Sequence, residues 1–266
     1  MGKRPSDGAT TRRRASGEPQ VVAIIPARLA STRLPGKVLL AETGRPLIQH
    51  VVEAARKSRS LARVVVATDA AEVAEAVRGF GGEVVMTRAD HPNGTSRLAE
   101  AARKLKLRDQ DVVVNVQGDE PEMEKGFIDA AVRALVASGA EVATVALPFA
   151  AGEDAGNPNI VKVVLAKDKR ALYFSRSRVP YVRDPGAGAG PPLRHVGLYV
   201  YRVGFLKRYV RMAPAPIEVA ESLEQLRVLW HGGRVQVAVC SGRTPAGIDT
   251  PEQYAAFVAR WRSGGG

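Results

Sequence analysis

Short apolar runs recur along this chain with stretches of helical periodicity between them. Val21 to Ile25, Arg63 to Ala67, Glu83 to Met86, Asp111 to Val116 and Glu141 to Leu147 read as strands. The spacing between them predicts helices over Pro46 to Ser58, Ala70 to Gly79, Thr95 to Leu107 and Glu124 to Ser138, with Gly81-Gly82 and Gly139 as stops. Strand and helix in alternation is the cadence of a mostly parallel sheet with helices on its faces. After Pro148 the pattern loosens. Ile160 to Leu165 reads as a strand, Tyr173 to Val182 is mixed, and Asp184 to Pro192 is a loop rich in glycine and proline. A strand over Arg194 to Tyr201 follows, then helices over Gly204 to Met212 and Ile217 to Trp230, a strand over Val235 to Val239 and a last helix from Pro251 to Trp261. The expected organisation is a disordered basic tail over residues 1–20 and a single α/β domain over 21–266. That domain is Rossmann-like, with a smaller β-rich insertion at about 150–203 and no internal repeat.

Composition narrows the partners. The 266-residue chain is 45% hydrophobic, enough for one sizeable core, and carries a formal charge of +12. The first twenty residues hold five basic and two acidic side chains, which leaves +9 on the body. A basic body fits nucleic acid, an anionic membrane or an anionic small substrate. Aromatics at 5%, with arginines scattered over several loops and no recognisable module, speak against nucleic acid. No apolar run is long enough to span a bilayer, and the first twenty residues lack the apolar segment of a secretory signal, so no membrane role is expected. Cys240 stands alone, which excludes an intramolecular disulfide and points to a reducing, cytoplasmic setting.

The chemistry concentrates in four loops. Directly after the first strand, Pro26-Ala-Arg-Leu-Ala-Ser-Thr-Arg-Leu-Pro-Gly-Lys37 holds three cations, two hydroxyls and no acid, where α/β sheets bind nucleotides. Arg28, Arg33 and Lys37 are candidate polyphosphate ligands, with Ser31 and Gly36 along the path; the spacing is not that of a Walker loop. In Val114-Asn-Val-Gln-Gly-Asp-Glu-Pro121 a buried strand runs into a glycine and two acids, and Asp119 is the candidate metal ligand. The alternative is a turn or helix cap before Pro121. A second acid, Asp249, lies in Thr244-Pro-Ala-Gly-Ile-Asp-Thr-Pro-Glu252, where Asp249 or Thr250 could instead cap the helix that starts at Pro251. Thr87-Arg-Ala-Asp-His-Pro-Asn-Gly-Thr-Ser-Arg97 suits a nucleobase and ribose, with Thr87, Arg88, Thr95 and Arg97 as candidates. Arg176, Arg178, Arg183, Arg194 and His195 read as a carboxylate-binding wall for a second substrate. No zinc motif and no acyl-transfer triad is present.

Together these segments resemble the 3-deoxy-manno-octulosonate cytidylyltransferase (CMP-Kdo synthetase) family over nearly all of Val21 to Trp261. The likeness is carried by the Ile25 to Lys37 loop, Met86-Thr-Arg-Ala-Asp-His91, Asn115-Val-Gln-Gly-Asp-Glu-Pro121, Asn157-Pro-Asn-Ile-Val-Lys162, Leu172-Tyr-Phe-Ser-Arg176, Arg194-His-Val-Gly-Leu-Tyr199, Leu223-Glu-Gln-Leu-Arg227 and Gly247-Ile-Asp-Thr-Pro-Glu252. The resemblance implies a fold of the nucleotide-diphospho-sugar transferase type, its insertion serving sugar binding and dimerisation. It implies transfer of CMP from CTP to the anomeric hydroxyl of Kdo, releasing pyrophosphate, by a Mg²⁺-dependent homodimer that activates the sugar for lipopolysaccharide synthesis. By that likeness Arg28, Arg33 and Lys37 hold the triphosphate, Asp119 and Asp249 carry Mg²⁺, and Thr87, Arg88 and Thr95 lie by the cytidine. Gln117, Arg176, Arg183, His195, Tyr199 and Glu224 then surround the sugar acid. The wording His91-Pro-Asn-Gly-Thr-Ser-Arg97 departs from the family's usual Gln-Ser-Gly-Thr-Glu-Arg, and Tyr181 stands where tryptophan is common. Rival readings are a cytidylyltransferase for an 8-amino or nine-carbon acid, another sugar nucleotidyltransferase, and a non-enzymatic nucleotide- or nucleic-acid-binding module.

Overall fold

Alternate side chains of the first strand, β1 (Val21–Ala27), feed two different cores, and this fixes the layering. Val21, Ala23, Ile25 and Ala27 face helices α1 (Leu47–Arg56), α2 (Ala71–Gly79) and α4 (Lys125–Ser138). Val22 and Ile24 face α3 (Gly94–Lys104), α5 (Val203–Tyr209) and α7 (Gln225–Trp230). A strand apolar on both faces belongs in the interior of a sheet covered by helices, as the continuous hydrophobic run predicts. The computed structural model describes residues 17–31, 33–184 and 190–264. Most of the expected basic tail and the centre of the glycine-rich loop therefore lie outside the described residues.

Strands β2 (Arg63–Thr68), β3 (Glu83–Met86) and β4 (Val112–Asn115) join β1 in a parallel block of order β3-β2-β1-β4. Four of the predicted helices cover it at the expected places. The remainder of the sheet differs from a plain parallel continuation. Strand β8 (Leu193–Arg202) lies between β4 and β5 (Val142–Pro148) and is antiparallel to both, while β9 (Val235–Val239) runs parallel to β5 at the outer edge. The short strands β6 (Lys162–Leu165) and β7 (Ala171–Ser175) pair antiparallel, and β6 also pairs with β8. The last strand of the expected insertion thus enters the main sheet.

One predicted helix is broken. The apolar period over Ile217 to Trp230 is continuous, yet the structure has α6 (Pro216–Glu221) and α7 separated at Ser222, whose φ of 50° and ψ of 49° are left-handed. Left-handed backbone ends a helix. A final helix, α8 (Pro251–Arg262), buries Tyr254, Phe257 and Val258 against Leu47 and Ile248, anchoring the loop that precedes it.

Because β8 is held on both edges, truncating its core is expected to be costly. Leu198 has no exposed surface. Leu198→Ala should lower unfolding free energy by about 2–5 kcal/mol, read as a lower urea midpoint with an unchanged slope.

Candidate active site

The loops leaving β1, β2, β3 and β4 open on one edge of the sheet, the carboxyl-end position where open α/β sheets bind ligands. After β1 the chain folds back through a hydrogen bond from Gly36 N to Leu29 O (3.2 Å), with Gly36 at φ 64°, and delivers Lys37 into a short 3-10 turn. Lys37 Nζ donates to Asp119 Oδ2 at 2.6 Å, Asp249 Oδ1 at 2.8 Å and Ile248 O at 3.0 Å. Arg33 pairs with the other Asp249 oxygen at 2.9 Å. Residues separated by up to 212 positions thereby meet on one ammonium group. Burial opposes the charge on Lys37, but the hydrogen bonds and charges of Asp119 and Asp249 outweigh it and raise its pKa. Burial likewise opposes ionisation of Asp249, and Lys37 with Arg33 overcomes it, so that carboxyl sits below its ordinary range.

Both alternatives raised for these acids are resolved by geometry. Thr250, not Asp249, caps α8: its side chain accepts from Gln253 N, and Gln253 Oε1 accepts from the Asp249 and Thr250 amides at 2.7 and 3.0 Å. The Asp249 carboxylate is left for the cations. α4 begins at Lys125, so Asp119 and Glu120 cap no helix. Gly118 explains how β4 ends here, since a Cβ at that position would stand 2.7 Å from Pro26 O on β1.

Two carboxylates and the Ile248 carbonyl converging on one cation form an all-oxygen donor set that fits Mg²⁺. Among the described residues no group of three or more His, Cys, Asp or Glu could hold a metal. Glu120, the second acid of this segment, is buried beside this point. Burial first, and Asp119 second, push its carboxyl up to about 8, and its Oε2 has no hydrogen-bond partner among the described residues.

The loop after β3 is organised from below. Arg97 has no exposed surface; it donates to Thr87 Oγ1 at 2.5 Å and pairs with Asp69, at the end of β2, at 2.9 Å. Burial lowers its pKa, against the pull of Asp69. Arg97 therefore braces the loop and does not line an open surface, and Thr87 is its buried partner. Arg88 is exposed and paired with Asp90. His91 Nε2 lies 2.5 Å from Glu100 Oε2, which also accepts from Arg88 N at 3.0 Å. Arg28 NH2 donates to His91 O at 3.2 Å, joining the phosphate-type loop to this one. Ser31 is partly buried on the same loop as Arg28.

Beside these loops lies a cavity of about 250 Å³ whose walls include Thr95, Asn115, Gln117, Tyr199, Tyr209 and Glu224. Thr95 Oγ1 donates to Glu224 Oε2 at 3.1 Å, so a residue expected near the base and one expected near the sugar share one wall. Glu224 keeps contact with solvent, yet the surrounding walls raise its pKa, against the Thr95 hydrogen bond. A bulge in β8 opposite Thr144 and Val145 shapes the floor. The carbonyls it frees are served by site side chains: Thr144 Oγ1 reaches Leu198 O at 2.7 Å and Gln117 Nε2 reaches Gly197 O at 3.4 Å. With its proton on Leu198 O, Thr144 accepts from His195 Nε2–H at 2.9 Å, which leaves Nδ1 as the free acceptor. Thr144 also escaped the sequence reading; the signal was a polar residue inside an apolar strand.

The expected arginine wall is not brought together. Arg176 spends its guanidinium on Glu221 O at 2.7 Å, Pro158 O at 3.0 Å and Ser222 O at 3.4 Å. Arg194 is paired with Glu153 and stacked over Phe149, whereas Arg178 and Arg183 are exposed. His195 packs edge-on to Phe174, and burial pushes its pKa down to about 3.

Two outcomes follow from this geometry. As pH falls from the ordinary histidine value of 6.5, the unfolded chain binds a proton at residue 195 that the folded chain refuses until about 3. Wild type should therefore lose more melting temperature than His195→Gln between pH 7 and 4. Asp119→Asn should cut turnover at least ~100-fold while a thermal melt shows the fold retained; substantial residual activity would remove Asp119 from the chemistry.

Comparison with known proteins gives a consistent picture. A family model described as Cytidylyltransferase matches residues 22–237. The 3-deoxy-manno-octulosonate cytidylyltransferase of Syntrophobacter fumaroxidans is 49% identical over 240 residues, which are 90% of this chain and 96% of that protein. That of Serratia proteamaculans is 49% identical over 236 residues, 87% of this chain and 94% of the other. A solved structure described as CMP:2-keto-3-deoxy-manno-octonic acid synthetase complexed with CTP superposes with a TM-score of 0.86 at 40% identity, covering 92% of this chain and 99% of that one. A cytidylyltransferase from Leptospira borgpetersenii shares the fold, with a TM-score of 0.62 at 16% identity. With residues 22–237 matched and half of its positions shared with such relatives, the chain belongs to the cytidylyltransferase family, among the 3-deoxy-manno-octulosonate cytidylyltransferases.

Proposed function

We propose that the protein transfers CMP from CTP to the anomeric hydroxyl of Kdo, giving CMP-Kdo and pyrophosphate. The observation that carries this reading is the convergence of Asp119, Asp249 and Lys37 beside the cavity walled by Gln117, Tyr199 and Glu224. A nucleotidyl transfer needs a cationic seat for the triphosphate, a pair of oxygen ligands for a divalent ion and an adjoining polar pocket for the acceptor. Arg28, Arg33 and Lys37, the Asp119 and Asp249 pair, and the Gln117, Tyr199 and Glu224 cavity support the reading in these three roles.

Arg28, Arg33 and Lys37 take the triphosphate. In the ligand-free arrangement Arg33 and Lys37 are engaged by carboxylates, and an incoming polyphosphate competes for the same donors. That exchange frees Asp119 and Asp249, the residues that would hold Mg²⁺. When bound, Mg²⁺ supplies positive charge against the phosphate oxygens and the departing pyrophosphate. The sugar hydroxyl attacks the α-phosphorus in line, and most of the acceleration comes from holding it there. Gln117, Tyr199 and Glu224 orient the sugar acid. Tyr199 stays neutral because burial raises its pKa, so it can donate a hydrogen bond throughout. Arg28 gains a fixed reach from its bond to His91 O, which links the triphosphate and nucleoside loops.

The same reading makes the protein a cytoplasmic homodimer. A lone Cys240, which leaves no intramolecular disulfide to form, fits a reducing compartment, and no helix among the described residues is long and apolar enough to cross a membrane. The homodimer rests on the family resemblance.

The test is pyrophosphate release by the purified protein with CTP, Mg²⁺ and Kdo. Release is expected only when all three are present. Release with an 8-amino analogue or a nine-carbon acid in place of Kdo would move the acceptor specificity, and silence with every sugar acid and nucleotide would overturn the reading.

A further inference from the structure

Lys162 is fully buried, and among the described residues no carboxylate touches its ammonium group. Its Nζ donates to three backbone carbonyls: Asn157 O at 3.0 Å, Ile160 O at 2.7 Å and the carbonyl of Arg176. Burial lowers its pKa, against the attraction of Glu221 and Asp154. A buried cation is a costly way to join loops that an apolar contact could join. What it secures here is position, because three acceptors fix one point where the 157–162 segment meets the end of β7.

That point lies at the start of a chain of contacts that ends in the cavity. With its own carbonyl held by Lys162, Arg176 sends its guanidinium to Pro158 O, Glu221 O and Ser222 O. The last two are carbonyls at the C-terminal end of α6, which a helix leaves without internal partners and which favour a cation. The Glu221 carboxylate returns the contact, accepting from Ser175 Oγ at 2.7 Å and Arg176 N at 2.8 Å. The end of β7 and the end of α6 are therefore tied together at the left-handed turn of Ser222. Directly after that turn come Leu223 and Glu224, both in the cavity wall, with Glu224 bonded to Thr95 across it.

We propose that Lys162 is a positioning residue for the acceptor: through Arg176 it sets the Ser222 turn and hence the place of Glu224. It does so without touching either substrate. This rests on the assignment of the Gln117, Tyr199 and Glu224 cavity to the sugar acid. The triphosphate loop is built from other elements, and the nucleoside loop meets this chain of contacts only at the Thr95 hydroxyl, so loss of Lys162 should act mainly on the acceptor. The expected signature is selective, a rise in KM for the acceptor alone.

The experiment compares Lys162→Met, Lys162→Arg and wild type by steady-state kinetics with Kdo and CTP varied in turn, alongside thermal melts. Lys162→Met should raise KM for Kdo by about tenfold and leave KM for CTP within about twofold, with Lys162→Arg recovering part of the loss because it keeps the donors. If Lys162→Met does not fold, Glu221→Gln loosens the same tie without stranding the carbonyls that Lys162 serves, and the same selective rise is expected. Unchanged values, equal rises for both substrates, or a fall in kcat with both KM values fixed would overturn the proposal. A wild type that never uses Kdo would fail the functional reading instead, a result distinct from any of these.

Discussion

Lys37 holds the site together by holding two acids from distant parts of the chain. Asp119 ends β4 and Asp249 precedes α8, and neither neighbourhood would gather carboxylates on its own, since like charges at such a distance repel. One ammonium with a carbonyl from Ile248 converts that repulsion into the anchor of three loops. The surroundings serve it. Gly118 lets β4 end against β1, the Thr250 and Gln253 capping box keeps Asp249 from being spent on its helix, and α8 packs Ile248 into place.

The same economy of backbone groups recurs at the adjoining cavity. A bulge in β8 frees carbonyls inside the sheet, and buried carbonyls must find donors. Thr144 and Gln117 provide them, so the irregularity that curves the pocket floor also fixes the residues facing it. His195 is held neutral by burial and oriented by Thr144, which makes it an acceptor at Nδ1 and a shape-filling ring against Phe174. Fixed partners of this kind hold the cavity floor in one shape.

How much of this was legible in the sequence depends on how local each feature is. The phosphate-type loop, Asp119 and Asp249 are visible because composition and position after a strand are local facts, and the four parallel strands follow from hydrophobic period alone. The antiparallel placement of β8 between β4 and β5 is invisible to periodicity, which says nothing of strand order. The break at Ser222 is hidden because the apolar pattern over Ile217 to Trp230 runs straight through it, and the group that stabilises the break, Arg176, lies 46 positions away. The partners of Arg176 and Arg97 were hidden because a sequence shows cations without showing which groups they already meet. Glu120 and Thr144 were in plain view, but their burial was not.

The insertion of β8 between β4 and β5 orders events in time as well as in space. Ribosomal synthesis delivers residues 112–115 and 142–148 long before residues 193–202. Until the later strand emerges, β4 and β5 each present an unpaired edge, the kind of surface that invites mispairing. The nascent amino-terminal half can assemble its parallel block but not the floor of the cavity. A chain interrupted before residue 193 thus lacks both Asp249 and Glu224 and carries a sticky margin.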